Sequence, residues 1–400
     1  TIVVLDFFVE QILEYLNASW FNKPIPEILK DIYDTEKYKK QQSYKSENYR
    51  FGIISSSFSF ILIVLMLVFN GFAYVDTLAG QISENFILKP LVFFGIILLA
   101  MDILSTPFSV YDTFVIENKY GFNKTTVKTY ILDKIKTYLL GGTIGAGLFA
   151  LILWIYHLDP EYFWLYACLV IIAFSLFMNM FYSTLIVPLF NKQTPLEDGE
   201  LKTKIMEFSK KAGFNISKIF VIDGSKRSTK ANAYFSGIGP KKRIVLYDTL
   251  INEMTNDEIL AVLAHEIGHY KHKHIYWSMI AGIIEIGIMF YIFGLFASSD
   301  MLSQALGLEK ASFHIALIAF SIIYSPISSA FAVVSSIFSR KAEYQADNFA
   351  SKHGLSNELI SALKKLSSHN MSNLTPHPWV VFMTYSHPPV FNRIKALMKH

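Results

Sequence analysis

The chain has 400 residues, of which 52% are hydrophobic and only 17% are charged, with a formal net charge of +4. Soluble proteins carry about 25% charged residues, so this composition indicates a membrane protein. Its weak net charge does not predict nucleic-acid binding. The single cysteine, Cys168, excludes an intrachain disulfide and a zinc site built from thiolates.

Seven apolar runs predict membrane-spanning helices, each of which needs about 20 apolar residues. The first, at about residues 1–16, is the weakest because Asp6, Glu10 and Glu14 interrupt it. The others lie at about 51–75, 88–111, 138–157, 162–190, 275–298 and 312–338. The predicted fold class is therefore an all-α membrane protein with seven transmembrane helices.

The lysines of the connections predict the orientation of these helices. They are concentrated after the first, third and fifth runs and are sparse after the second, fourth and sixth. Since positively charged loops remain in the cytoplasm, we expect the N-terminus outside the membrane. Residues 191–274 and the tail 339–400 are then cytoplasmic.

Four regions follow from this pattern: five helices in 1–190, an α+β segment in 191–274, two helices in 275–338 and a helical tail in 339–400. Within the α+β segment, a helix is expected at about 196–212, with short strands near 218–222 and 243–247. A further helix begins at the capping-box sequence of Thr255 to Glu258 and continues through His269.

This last helix contains the sequence H-E-x-x-H, with His265, Glu266 and His269. Two histidines four positions apart lie on one helix face, so both imidazoles can bind one metal ion, with Glu266 beside the open coordination position. The alternative is a helix with two surface histidines. Catalytic zinc has three protein ligands and one water, so a third ligand is required.

Glu343 is the predicted third ligand, because two spans return the chain from the H-E-x-x-H helix to the same membrane face. Asp347 lies one turn later, where it could accept the free N–H of a ligating histidine. The alternative is that Glu343 and Asp347 form a solvated helix face with Arg340 and Lys341.

Three other histidines are weaker candidates. His272 and His274 alternate with lysines at the mouth of a span, where a basic collar at the membrane surface is favoured over metal binding. His387 lies in a Pro-containing turn six residues before Arg393, and no further span separates it from Glu343. Spacing alone leaves both a functional and a structural role open for His387.

Several blocks of sequence are typical of one family of membrane proteases. They are residues 117–124, 188–192, 232–235 and 242–250, the H-E-x-x-H helix, residues 343–347, and residues 385–389 with Arg393. Over essentially its whole length the chain resembles the type I CAAX prenyl proteases, which are integral-membrane zinc enzymes. The resemblance implies that the seven helices enclose a chamber, with a zincin-like insertion at its cytoplasmic side.

The same resemblance implies roles for individual residues. Glu343 is expected to complete the zinc site, and His387, Asn232 and Arg393 are expected to contact the substrate or the transition state. Glu266 would act as general base and His387 would stabilise the oxyanion. One Zn²⁺ per monomeric chain is expected.

The predicted function is that of a membrane-embedded zinc endopeptidase that cleaves near the C-terminus of prenylated, CAAX-type or other membrane-associated proteins. Its partners would be a peptide or protein substrate and the lipid bilayer. The membrane would be a bacterial inner membrane or, in a eukaryote, the endoplasmic reticulum. Two alternatives are a quality-control protease of the heat-shock type, which cuts misfolded membrane proteins, and a transporter or channel with a structural zinc.

Overall fold

The computed structural model describes residues 1–214, 218–237 and 242–399. Helices dominate the first half of the chain: Ile2–Ala18 (α1), Thr35–Val68 (α2), Gly71–Ile82 (α3), Leu88–Tyr120 (α4), Val127–Leu158 (α5) and Phe163–Phe190 (α6). The second half adds Glu200–Lys211 (α7), Asp248–Glu253 (α8), Asn256–Lys271 (α9), His274–Phe296 (α10), Asp300–Gln304 (α11), Phe313–Lys352 (α12), Ser356–His369 (α13), Pro378–Thr384 (α14) and Val390–Leu397 (α15).

Among the described residues, six helices are long and apolar enough to cross a membrane: α2, α4, α5, α6, α10 and α12. The chain is therefore a multi-pass membrane protein. Helix α1 has 17 residues and includes Asp6, Glu10 and Glu14, so the first predicted span stays a prediction. The enclosed chamber also stays a prediction.

Four predicted spans differ from the helices that form. Helix α4 continues past the run 88–111 to Tyr120, and α5 begins at Val127, before the run 138–157. The run 51–75 is interrupted, because α2 ends at Val68 and Asn70 adopts a left-handed conformation (φ 50°) before α3 begins. The run 312–338 instead continues without a break, since α12 extends to Lys352. Its polar end contains no glycine or proline, so the helix persists where the apolar composition stops.

A four-stranded sheet lies between α6 and α9 in the chain. Its strands are Gln193–Pro195 (β1), Ile219–Ile222 (β2), Ala233–Ser236 (β3) and Arg243–Tyr247 (β4), in the order β1-β2-β4-β3. Strands β2 and β4 are parallel, and the other two pairs are antiparallel. The predicted strands at 218–222 and 243–247 are confirmed, and β3 is an edge strand.

Helix α9 packs on this sheet and on α7 and α13. Its apolar face buries Ile259, Leu263 and Ile267 almost completely. The predicted capping box is confirmed: the Glu258 carboxylate accepts a hydrogen bond from the Thr255 N–H, and the Thr255 hydroxyl accepts one from the Glu258 N–H. The capping box thus fixes the start of α9. The buried apolar face fixes the direction in which its histidines point.

Candidate active site

Helices α9 and α12 bring the three predicted metal ligands together. The Nε2 atoms of His265 and His269 are 3.1 Å apart. Glu343 approaches them from α12, with Oε2 3.5 Å from His265 Nε2 and Oε1 3.2 Å from His269 Nε2. One ligand atom from each residue lies within 4.8 Å of the others, so one ion can contact all three.

This convergence requires close contact between the two helices. A Cβ atom on Gly268 would lie 3.0 Å from the Ala346 Cα and 3.1 Å from the Ala346 carbonyl oxygen. These are backbone atoms of α12, which cannot move away as a flexible side chain can. Gly268, one of the variable positions of the H-E-x-x-H sequence, therefore sets the distance between the ligand helices.

The hydrogen bonds around these residues fit a bound cation. His265 Nδ1 lies 2.8 Å from the Asp347 carboxylate and donates to it, so in the neutral imidazole the Nε2 atom carries a lone pair. That lone pair points at another imidazole and a carboxylate, which would repel it without a positive charge between them. Glu343 Oε2 is also buried and accepts no hydrogen bond among the described residues, so the Arg393 guanidinium meets it only as an ion pair.

Asp347 lies behind His265, as predicted, and is itself held by Arg393 from α15. The Arg393 guanidinium donates to both Asp347 oxygens, at 2.9 Å and 2.6 Å, and its Nη1 is 3.1 Å from Glu343 Oε2. Arg393 is only 8% exposed. Its guanidinium thus faces the Glu343 and Asp347 carboxylates from within the protein, and the contact with substrate or transition state that the resemblance implies stays a prediction.

The charges of the site shift the pKa values of its cations. Burial by itself lowers the pKa of His269. The hydrogen bond and negative charge of Glu343 raise this pKa by more than burial lowers it, so the net shift is upward. Arg393 behaves in the same way, because the bonds to Asp347 outweigh its burial and raise its pKa. The carboxylates of the site therefore favour positive charge at both His269 and Arg393.

Glu266 and His387 lie on the accessible side of this centre. Glu266 is partly buried on α9, and among the described residues no hydrogen bond or ion pair occupies its carboxylate. Its charge contributes to the raised pKa of both His269 and Arg393. His387 Nε2 is 3.3 Å from Glu343 Oε1, and the side chain is 65% exposed.

Asn232 lies apart from this cluster, at the start of edge strand β3. Its side chain is exposed, and its amide oxygen accepts a hydrogen bond from the next backbone N–H, that of Ala233, at 2.9 Å. No contact joins it to the metal-site residues in the described part of the chain. Its place beside an unpaired strand edge is compatible with binding an extended peptide.

The sequence interpretation missed the contact that His274 makes. This residue begins α10, and its Nδ1 lies 3.0 Å from Nδ1 of the predicted ligand His269. The lysines that alternate with it in the sequence predict a basic collar at the membrane surface instead. The spacing H-E-x-x-H-x-x-x-x-H was the available signal, but on a continuous helix five positions would turn His274 away from His269.

The fold and the site together define a membrane metallopeptidase, with a two-histidine, one-glutamate centre at the end of a membrane helix. The family profile of the CAAX prenyl protease N-terminal region, five membrane helices, matches residues 14–192, and that of peptidase family M48 matches residues 195–400. The chain belongs to the M48 peptidase family and to its CAAX prenyl protease branch. This membership removes the transporter or channel alternative.

Individual relatives cover nearly the whole chain. The CAAX prenyl protease 1 homolog of Oryza sativa is 36% identical over 99% of this chain and 95% of its own length. CAAX prenyl protease 1 of Saccharomyces cerevisiae is 32% identical over 98% and 93%. The crystal structure of S. mikatae Ste24p superposes with a TM-score of 0.92 at 33% identity, covering 99% of this chain and 97% of that one.

Proposed function

We propose that this protein is a zinc endopeptidase that hydrolyses peptide bonds near the C-terminus of prenylated, CAAX-type substrates or of other membrane-associated proteins. The observation that carries the proposal is the meeting of His265, His269 and Glu343 at the end of a helix long and apolar enough to cross the membrane. The names of the relatives, similar over their full length, support the substrate class.

His265, His269 and Glu343 would hold one zinc ion per chain. When bound, zinc supplies a water of lowered pKa and polarises the scissile carbonyl. Glu266, whose carboxylate has no other partner among the described residues, would take a proton from the attacking water and pass it to the leaving amine. Its free carboxylate is what a general base requires.

His387 stabilises the oxyanion that develops on the scissile carbonyl. Its exposed ring stands beside Glu343, and a well-placed donor of this kind contributes about 3 kcal/mol to transition-state binding. Asn232 and the edge of β3 hold the substrate backbone in an extended conformation by strand addition. Arg393 and Asp347 act from behind as positioning residues for Glu343 and His265.

The lysine pattern of the loops supports a cytoplasmic location for this site. This orientation would hold in a bacterial inner membrane and in the endoplasmic reticulum alike. Helix α1 provides the seventh span, and the seven spans enclose a chamber that opens at the zinc site, beside the small zincin-like α+β segment. We propose that a monomer is sufficient, because all the site residues named come from one chain.

The test is the variant Glu266→Gln, with prenylated and unprenylated peptides of the same sequence as substrates. The purified variant should bind one zinc per chain, as wild type does, but should lose cleavage, with products mapped by mass spectrometry. Wild-type cleavage confined to the prenylated peptide supports the substrate class. Cleavage by Glu266→Gln at the wild-type rate would show that the base is another group.

The same assay separates the quality-control alternative. A protease of that type should degrade an unfolded membrane protein and should cut both peptides equally. Preference for the unfolded protein over the prenylated peptide would assign the chain to that class. If purified wild-type protein binds no zinc, that result would contradict the metal centre itself.

A further inference from the structure

Each metal-site histidine has a partner on the ring nitrogen that points away from the cation position. For His265 this partner is the carboxylate of Asp347. For His269 it is the imidazole of His274, with the two Nδ1 atoms 3.0 Å apart. His274 in turn has its Nε2 atom 2.8 Å from Oε1 of Gln345, on α12.

We propose that His274, oriented by Gln345, is a positioning residue that fixes the ring of His269 for metal binding. The proposal rests on the proposed function of the site as a zinc centre. It extends that function to two side chains outside the ligand set. His274 lies in the first turn of α10, and Gln345 lies on α12, between Glu343 and Asp347 in the sequence.

The protons of this chain of hydrogen bonds follow from its last acceptor. The carbonyl oxygen of Gln345 only accepts, so the proton of neutral His274 lies on Nε2 and its Nδ1 is an acceptor. His269 must then donate from Nδ1, which leaves the lone pair of its Nε2 atom for the metal. The opposite Gln345 amide orientation would reverse every bond and place a proton on His269 Nε2, where it would block binding.

His274 is not a fourth ligand in this arrangement. The ligand atoms that converge are contributed by His265, His269 and Glu343, and His269 directs Nε2 towards them. His274 contacts the opposite nitrogen of the same ring. Outer partners of this kind fix the tautomer and orientation of metal-bound histidines, and their loss weakens metal binding about 10–100-fold.

A strained backbone makes the contact possible. Lys273 separates α9 from α10 and adopts a left-handed conformation, with φ of 58°. That conformation is unfavourable for a residue with a Cβ atom, which is crowded against the following carbonyl oxygen. It reverses the chain so that His274 lies against His269, five positions earlier, and strain of this kind is concentrated at functional sites.

His272 supplies a matched control. Its ring stacks on His274 at 5.5 Å between centroids and an interplanar angle of 15°, but among the described residues it has no hydrogen bond to a metal ligand. Replacing His272 by Phe keeps an aromatic ring next to the N-terminus of α10. An effect confined to His274 therefore reports the hydrogen bonds and not the local packing.

The experiment compares His274→Phe, His274→Asn and Gln345→Leu with His272→Phe, all in the full-length protein in detergent. The zinc dissociation constant is measured by chelator competition, and thermal unfolding is measured on the zinc-free protein. We expect His274→Phe to weaken zinc binding about 10–100-fold. His274→Asn, which keeps an oxygen acceptor near the Nδ1 position, should restore most of this affinity, and Gln345→Leu should lose part of it.

The zinc-free unfolding temperature should stay the same in all four variants, and His272→Phe should bind zinc like wild type. A zinc affinity of His274→Phe within twofold of wild type would overturn the proposal, as would equal losses in His272→Phe. A lowered unfolding temperature with unchanged zinc affinity would reduce His274 to a packing role. If wild type itself binds no zinc, the proposed function fails instead, so the two failures are distinguishable.

Discussion

Arg393 contacts two carboxylates of the candidate metal site, those of Glu343 and Asp347. It donates two hydrogen bonds to Asp347 and contacts Glu343 at 3.1 Å, while being almost fully buried. A buried charge is tolerated only when it is paired, and loss of one partner costs about 3–5 kcal/mol. The planar guanidinium also matches a carboxylate with two parallel bonds, which an ammonium cannot do.

Arg393→Lys should therefore keep the charge but lose the paired geometry. We expect zinc affinity and kcat to fall about tenfold, with KM for a reporter peptide nearly unchanged. Arg393→Leu should lower the free energy of unfolding by about 3–5 kcal/mol. Chelator competition and steady-state kinetics check both, with the exposed Lys395→Ala on the same helix as control. A raised KM at unchanged zinc affinity would instead assign Arg393 to substrate binding.

Helix α12 shows how a single element joins the membrane to the site. With 40 residues it is about 60 Å long, twice the roughly 30 Å of a bilayer core, so its second half extends beyond the apolar region. The sequence predicted both halves but separated them at 338, because the change from Phe338 to Arg340 marks the end of the apolar composition and not the end of the helix.

Local sequence patterns predict some of the site residues, but they do not predict contacts that depend on how distant elements pack. His265, Glu266 and His269 follow from local helix periodicity, and Glu343 and Asp347 from the return of a two-helix hairpin. The contact of His274 depends on the left-handed turn at Lys273, a residue type that gives no signal for that conformation. The burial of Arg393 depends on the docking of α15, which local patterns do not encode.

The contact between α9 and α12 leads to a prediction at the level of elements. Gly268→Ala should push Ala346 away and separate the ligand helices, at a cost of about 1–3 kcal/mol in the zinc-bound state. We expect weaker zinc binding and reduced cleavage, measured by chelator competition and peptide hydrolysis. Gly282→Ala is the control, since a Cβ there meets no atom within 4 Å. Equal zinc affinity in both variants would show that the helices can adjust.

At the scale of the whole molecule, the contacts of α1 favour a seventh membrane span. Asp6, Glu10 and Glu14 are spaced four apart and share one helix face. The hydroxyl of Ser325 on α12 donates to Asp6 at 2.5 Å, and Gln11 contacts Ser56 on α2 at 3.0 Å. Carboxylates of a spanning helix usually face the bundle rather than lipid, and the exposed Asp6 does contact a neighbouring helix through Ser325.

We therefore expect α1 to cross the bilayer, although at about 26 Å it is slightly shorter than the apolar core. Single cysteines at Thr1 and Lys23, in a Cys168→Ala background, should react differently with a membrane-impermeant maleimide. Position 1 should be labelled from the outside, like Lys310→Cys, and position 23 should be protected, like Lys210→Cys. Because an inverted orientation would exchange all four results together, identical labelling of positions 1 and 23 would by itself contradict the seventh span. The lipid bilayer would then surround six helices, and the acidic face of α1 would lie at the membrane surface.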